Sequence, residues 1–466
     1  MKITSTVIGL IVLLGFFQAC DSFESTNTDP SRASDVPLNI LLPAALTQAA
    51  YNQSAHPCRG VGIIIQYFTG TDSKISYGRY TIGADAFNNY WRTGLYAGVL
   101  KDARVIKQKA QAENAPYYEG IAEILEAMSF ADAASMFGDI PYEEALMGAA
   151  NFQPAYTPQL KVYAGIQQQL DRAIELLSGE PGTQQPTDDD LIFGGSAELW
   201  KKTAYALKAR YLMQTVNRNA ANAQEVLDIV QNDAFQSMSE QPDFQFETGQ
   251  NGNNPLHKFG TERPGTITIE DIPANDGSFA TALIARSDPR MPKYTEEQSN
   301  SPGTYLYFNS NNSELIWAQE DSAIPFISYV ELKFLEAEAM HRTGGDATQT
   351  LKDAIDASLE LTLVDAPDFA EERVGEDTNL KEIITEAYFA YYGIAHLQTW
   401  ANYRRTGFPE LDVNDTPDLS FTPSGVIPER FLYPVSEINL NSENVNAAIA
   451  AQGGQLLDVE LASFKD

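Results

Sequence analysis

The chain has 466 residues, with 63 Asp and Glu against 31 Lys and Arg and a formal net charge of −32. A field of that sign opposes nucleic acid and anionic lipid surfaces, so neither is expected as a partner. Aromatic residues make up 11% of the chain, too many for a disordered protein, and the length suffices for one or two domains with a large core.

The N-terminus reads as a targeting segment. Lys2 is a minimal positive region, residues 7–17 are apolar but too short to span a bilayer, and Gln18-Ala19-Cys20 closes the run. This looks like a bacterial lipobox, with Phe17 standing where Leu is usual. The expected layout is a signal peptide over residues 1–19, a lipid on Cys20, and a flexible Ser/Thr/Asn-rich tether over residues 20–35. Acylation of Cys20 leaves only Cys58, so no internal disulfide is expected. With four histidines, His56, His257, His341 and His396, no metal site and no cofactor is expected either.

From residue 36 the chain reads mainly as helices. Residues 36–51 form a first one, entered through Pro37. Residues 60–70 are short, apolar and rich in branched side chains, and periodicity leaves strand and continuing helix both open. Residues 71–89, broken by Gly78 and Gly83, place Tyr77, Arg79, Tyr80 and Asn88 off any helical face. Residues 90–112 read as one long helix with Trp91, Leu95 and Val99 on a shared face. Pro116 opens the next, which Gly138 and Pro141 end. Residues 158–177 and 197–219 pair across a Gly/Pro/Asp loop, and residues 223–231 make a short further helix.

Between residues 235 and 325 helical periodicity lapses, and Gly, Pro, Asn and Ser become frequent. Residues 305–308 and 315–317 are strand candidates on either side of a turn-rich stretch. Irregular stretches of this length on a rigid scaffold are where binding sites concentrate. Residues 326–341 then return to helical spacing through Ile327, Val330, Phe334, Ala337 and His341, with Glu331, Glu336 and Glu338 mostly on the other side. Gly344-Gly345 stops this helix and residues 348–361 run back, forming a helical hairpin. Residues 380–403 read as a last long helix.

Several phrases in this order resemble the SusD/RagB family. They are Glu331 with Ala337-Glu338-Ala339, the Trp91 to Tyr96 spacing, the stretch from Phe137 to Ala145, Asp288-Pro289-Arg290, the stretch from Trp400 to Pro409, and that from Ile427 to Pro434. The resemblance implies a single domain over residues 36–466: a TPR-like scaffold of about four helix pairs (residues 36–234 and 326–466) carrying a loop-rich, ligand-binding insert at residues 235–325. It further implies an outer-membrane lipoprotein of Bacteroidetes, exposed at the cell surface and anchored through Cys20. Such a protein captures oligosaccharides as the lid of a SusC-like TonB-dependent transporter.

Glycan capture needs aromatic faces and short polar side chains. Tyr77, Arg79, Tyr80, Asn88, Tyr305, Tyr307 and Trp317 are such residues in the two irregular regions, and they are the candidate ligand contacts, with packing as the alternative for each aromatic. Trp91 and Trp400 lie inside helical phrases and read as core. Arg404-Arg405 reads as structural ion pairing, and residues 412–418 as a solvated loop lacking the Gly and terminal Glu of an EF-hand. An oligopeptide is the alternative ligand. A glycoside hydrolase is the remote alternative, since 63 acidic residues make any carboxylate pair uninformative. The acidic balance favours a neutral or weakly charged glycan; Lys74 with Arg79, Lys258 with Arg263, and Arg286 with Arg290 and Lys293 offer the only local relief.

Overall fold

The structure is a computed structural model, and it describes residues 36–249, 251–270, 279–375 and 378–465. The signal peptide, Cys20 and the tether lie outside the described residues. The mainly helical expectation holds. Helices α1 (Leu38–Ser54), α2 (His56–Ile64), α3 (Leu100–Glu113), α4 (Pro116–Phe137), α5 (Gln159–Ser178), α6 (Ala197–Gln214) and α7 (Asn222–Asn232) occupy the first half. After α8 (Pro255–Glu262) come α9 (Tyr329–Arg342), α10 (Thr348–Leu361), α11 (Leu380–Ala390), α12 (His396–Thr406) and α13 (Ser442–Gln452). From α3 to α7 each helix packs on the next, and α7 then packs on α9 across the intervening irregular segment. Helices α9 and α10 form the expected hairpin, with Gly344 at φ +83° in the turn.

The core runs along α4. Its side chains from Tyr118 to Phe137 are all buried, which an amphipathic surface helix would not allow. Four of them are carboxylates, and they are satisfied internally. Lys107 Nζ lies 2.7 Å from Glu123 and 2.5 Å from Glu126, Arg104 Nη2 is 2.6 Å from Glu126, and Gln111 donates to Glu119 at 2.9 Å.

Four short strands gather the irregular segment into one antiparallel sheet: β1 (Thr69–Gly70), β2 (Ile267–Glu270), β3 (Glu296–Glu297) and β4 (Thr304–Leu306), in the order β1-β2-β4-β3. Thr69 faces Thr268, and Tyr305 faces both Ile269 and Glu297.

Residues 60–70 contain part of each open alternative: the end of α2, a turn and β1. Several expectations need correction. The long helix from Tyr90 opens with wide π turns over Tyr90–Val99, interrupted at Gly98 (φ −101°, ψ −116°), before α3 begins. The helix expected over residues 380–403 breaks at Gly393, which sits at φ +83° under Trp317, where a Cβ would come within 2.3 Å of the indole. Residues 315–317 are turn, not strand.

The largest correction concerns the glutamates of α9. Glu331 and Glu338 are buried, not solvated. Arg210 donates to both oxygens of Glu331, at 2.6 Å each. Arg405 grips Glu338 in the same way, one contact measuring 2.7 Å, with Arg342 adding a third bond at 2.6 Å. The expected structural role of Arg404 is met without an ion pair. Its guanidinium lies 3.7 Å over the Trp400 ring and donates to the carbonyls of Ser135 and Glu429.

Beside the Arg210–Glu331 pair, burial pushes the carboxyl of Asp132 up to about 7, against the opposing pull of Arg210 and the Gln53 amide. A carboxyl that is easier to protonate folded than unfolded loses stability as pH rises through that value. Asp132→Asn, which keeps an acceptor for Gln53, is therefore expected to gain on the order of 1–3 kcal/mol over the parent at pH 8. The gap should narrow by about half or more at pH 5, where the unfolded carboxyl is still largely ionised, and it closes only below the ordinary carboxylate value of about 4. Urea unfolding at the two pH values checks both the sign and the convergence.

Candidate functional site

A cleft of about 750 Å³ opens between α1, α2, the π turns and α8. Its lining is drawn from helix faces. Gln48, Tyr51, Asn52 and Ala55 follow i, i+3, i+4, i+7 spacing along the end of α1. His56 and Arg59 share one face of α2, Tyr90, Thr93 and Gly94 come from the π turns, and Phe259, Glu262 and Arg263 from the end of α8. Ser73 and Lys74 close the remaining side.

Local structure sets each group in place. Asn254 caps α8, accepting from Leu256 N at 2.8 Å and donating to Ser322 O at 3.0 Å. Asn52 Nδ2 donates to Gly94 O at 2.8 Å while its Oδ1 accepts from Gln48 Nε2 at 2.9 Å, tying α1 to the π turns. Tyr51 is 48% exposed, an aromatic ring left standing at the mouth of the cleft. The Arg59 guanidinium lies 4.2 Å above the Phe259 ring. His56 stacks on Phe87 at 4.6 Å and shares a 2.7 Å hydrogen bond with Tyr77 OH. Burial, and then the charges of Arg59 and Lys74, hold the His56 imidazole down at about 3. It is neutral at any physiological pH and cannot act as a proton donor there.

None of the seven candidates from the sequence lines this cleft. Tyr77 lies one layer beneath it, buried under Lys74, whose Nζ sits 5.0 Å over the ring. Arg79 and Tyr80 line a neighbouring cavity of about 160 Å³ with Gln66, Phe68 and residues 412–414. There Arg79 is exposed, while Tyr80 is buried with its hydroxyl 3.3 Å from Asn414 N. Asn88 is half-buried and accepts from Ser436 N at 3.1 Å, which ties it to the C-terminal segment. Tyr305 is buried in β4, and Tyr307 is buried beside a third cleft of about 410 Å³. Trp317 is half-buried over Gly393. In this conformation Tyr77, Tyr80, Tyr305 and Tyr307 have no ring face turned to solvent, because irregular backbone here is packed rather than open.

Of the residues that shape the cleft, Lys74, Asn89, Phe259, Glu262 and Arg263 fall in the two irregular regions picked out from the sequence, whereas Gln48, Tyr51, Asn52, His56 and Arg59 escape that reading because they lie on helices. Tyr51 carried a signal. It falls off the buried stripe of α1, formed by Leu38, Leu42, Ala45, Leu46, Ala49 and Ala50, and an aromatic on the polar side of an amphipathic helix has no core to enter.

Among the described residues no helix is long and apolar enough to cross a membrane. The family model SusD-like_2, described as starch-binding and associating with outer membrane, matches residues 30–434. No curated protein sequence matches the chain. Among solved structures, a SusD/RagB family protein from Bacteroides thetaiotaomicron is similar at 24% identity and TM-score 0.74, covering 92% of this chain and 99% of that one. A SusD homolog from Bacteroides fragilis shares 20% identity at TM-score 0.74, with coverage of 93% and 100%. A chitin-binding SusD homolog from Flavobacterium johnsoniae shares 18% identity at TM-score 0.73, with coverage of 92% and 99%. At these identities the solved structures speak for the fold.

Proposed function

The chain belongs to the SusD-like family, and from that membership we propose that it captures oligosaccharides at the cell surface and delivers them to a SusC-like TonB-dependent transporter. The observation that carries this reading is the make-up of the cleft. Tyr51 and Phe259 provide ring surface, and Gln48, Asn52, Asn89 and Thr93 provide short donors and acceptors. Sugar rings need that pairing, apolar C–H faces against aromatics and hydroxyls against amides. The chitin-binding similarity of the Flavobacterium johnsoniae protein points the same way. Arg79, Asn88 and Trp317 remain proposed contacts of the neighbouring surfaces, while the four buried tyrosines fit the packing alternative.

Two features weigh against the alternatives. A peptide that adds to a sheet needs a free edge of useful length, whereas β1 and β3, the two edges here, are two residues each. A glycosidase needs two carboxyls across the scissile bond, whereas Glu262 is the one acid lining the cleft among the described residues. We therefore read the cleft as a binding site without catalysis.

Calorimetry against panels of oligosaccharides and oligopeptides tests the proposal. Tyr51→Ala is expected to weaken glycan binding by about tenfold, the loss of one stacked sugar contact of roughly 1–1.5 kcal/mol. Binding to peptides alone would overturn the reading.

A further inference from the structure

The cleft has an unusual charge for this chain. Basic side chains are outnumbered two to one, and most find a carboxylate: Arg104, Lys107, Lys161, Lys202, Arg210 and Arg286 are all in ion pairs. Three are brought together without one. Arg59, Lys74 and Arg263 line the same cleft, and among the described residues none is ion-paired. Among the described residues Glu262 is the only acid that lines the cleft with them.

Their surroundings show that these charges act on one another. Arg59 is held by a ring face and by a single long contact of 3.5 Å to the carbonyl of Pro255, so most of its five donors are unused. Lys74 is held by the ring of Tyr77. Its ammonium is made easier to deprotonate by burial, and then by Arg59 and Arg263, while His56 is kept neutral by burial and the same positive field. A protein with 63 carboxylates could neutralise such a cluster at small cost. Left unneutralised, it forms a positive focus in a chain of net charge −32, and it attracts an anion into the cleft.

We propose that the cleft selects acidic oligosaccharides, with the carboxylate or sulfate of the sugar held by Arg59, Lys74 and Arg263 while Tyr51 stacks on the ring. Arg59 is the anchor, because a guanidinium fork matches two oxygens of one anionic group. This inference rests on the glycan-binding reading above. It replaces the neutral ligand that overall charge alone favours, since local geometry and not net charge sets the potential a ligand meets.

The test is isothermal calorimetry of the full chain against a panel of oligosaccharides in pairs. Uronate-bearing members are paired with their carboxyl-reduced twins, and sulfated members with their desulfated twins. The tightest binder should be acidic and exceed its neutral twin by at least about tenfold at low salt. That ratio should fall about threefold or more when salt is raised to roughly 0.3 M. Which arm shows the ratio identifies carboxylate or sulfate as the recognised group. The double variant R59Q/K74A, which removes the anchor and its neighbour, should bring the ratio close to one, whereas Lys161→Gln, a surface lysine paired with Glu143, should leave it as in the parent. Neutral twins that bind as well as acidic ones would overturn this inference and leave the glycan reading standing. An equal loss in Lys161→Gln would also overturn it, by assigning the preference to the general field. Failure of every glycan to bind, in either charge form, would overturn both.

Discussion

Glu331→Ala is expected to cost about 3–5 kcal/mol, a large share of the stability of any single domain, because it strands a buried guanidinium. Arg210 is almost fully buried and spends two donors on Glu331 in a fork of 2.6 Å contacts. The pair joins α6 to α9 across 121 residues of sequence, so its loss also loosens the seam where the two halves of the scaffold meet. Asp132 makes the effect depend on pH. Its carboxyl lies close enough to feel both Arg210 and Glu331. Without Glu331, Arg210 draws the Asp132 pKa downward from about 7, so an ionised Asp132 replaces part of the lost charge at neutral pH and none of it in acid. Urea midpoints should show the variant most damaged near pH 5 and least near pH 8. A loss below about 1 kcal/mol at both values would mean that water, not protein, solvates Arg210. Arg210→Met combined with Glu331→Leu should recover most of the stability, since the volume is refilled and no charge is buried.

That ion pair also shows what single-sequence reading can and cannot deliver. The α9–α10 hairpin was legible because its apolar side chains recur at helical spacing and Gly344-Gly345 interrupts them. Glu331 and Glu338 were misplaced because periodicity scores a glutamate as solvent-facing. The partners that let them enter the core, Arg210 and Arg405, sit in remote segments. The breaks at Gly98 and Gly393 failed to register for a related reason. A lone glycine within an apolar-periodic run is tolerated in a helix, and only the packing of Trp317 over Gly393 shows why the chain must turn there.

The site was less legible than the fold. Irregular backbone reads as exposed in a sequence, yet Tyr77, Tyr80, Tyr305 and Tyr307 use it to reach buried positions. The cleft draws one face from each of several helices, and no sequence window contains more than a fragment of it. Tyr51 and Arg59 lie close in the chain, but Phe259 and Arg263 join them only through the docking of α8. The grouping of charge is hidden in the same way. Lys74 and Arg263 appeared in separate, diluted pairs, and the concentration of cations exists only after folding.

Anchoring gives an all-or-none expectation. The apolar stretch of residues 7–17 is about half the length needed to cross a bilayer as a helix, so on the lipoprotein reading attachment depends on the chains carried by Cys20. A thioether to a lipid cannot form on a serine, and Cys20→Ser should therefore leave the outer-membrane fraction. Each acyl chain is worth about 0.8 kcal/mol per buried methylene, and stable anchoring takes more than one chain. Loss of acylation is thus expected to abolish attachment and not merely to weaken it. The consequence for capture follows from effective concentration. On that same reading, a lid held at the membrane by its anchor meets the transporter mouth at the roughly millimolar effective concentration that a short tether imposes. The released chain must find it from dilute solution. Extraction of the parent in mild detergent should recover a large TonB-dependent β-barrel with it, while the variant should appear in the soluble fraction without one. Retention of Cys20→Ser in the outer membrane at the parental level would refute lipid anchoring, and a parent recovered alone under the same conditions would refute the transporter partnership.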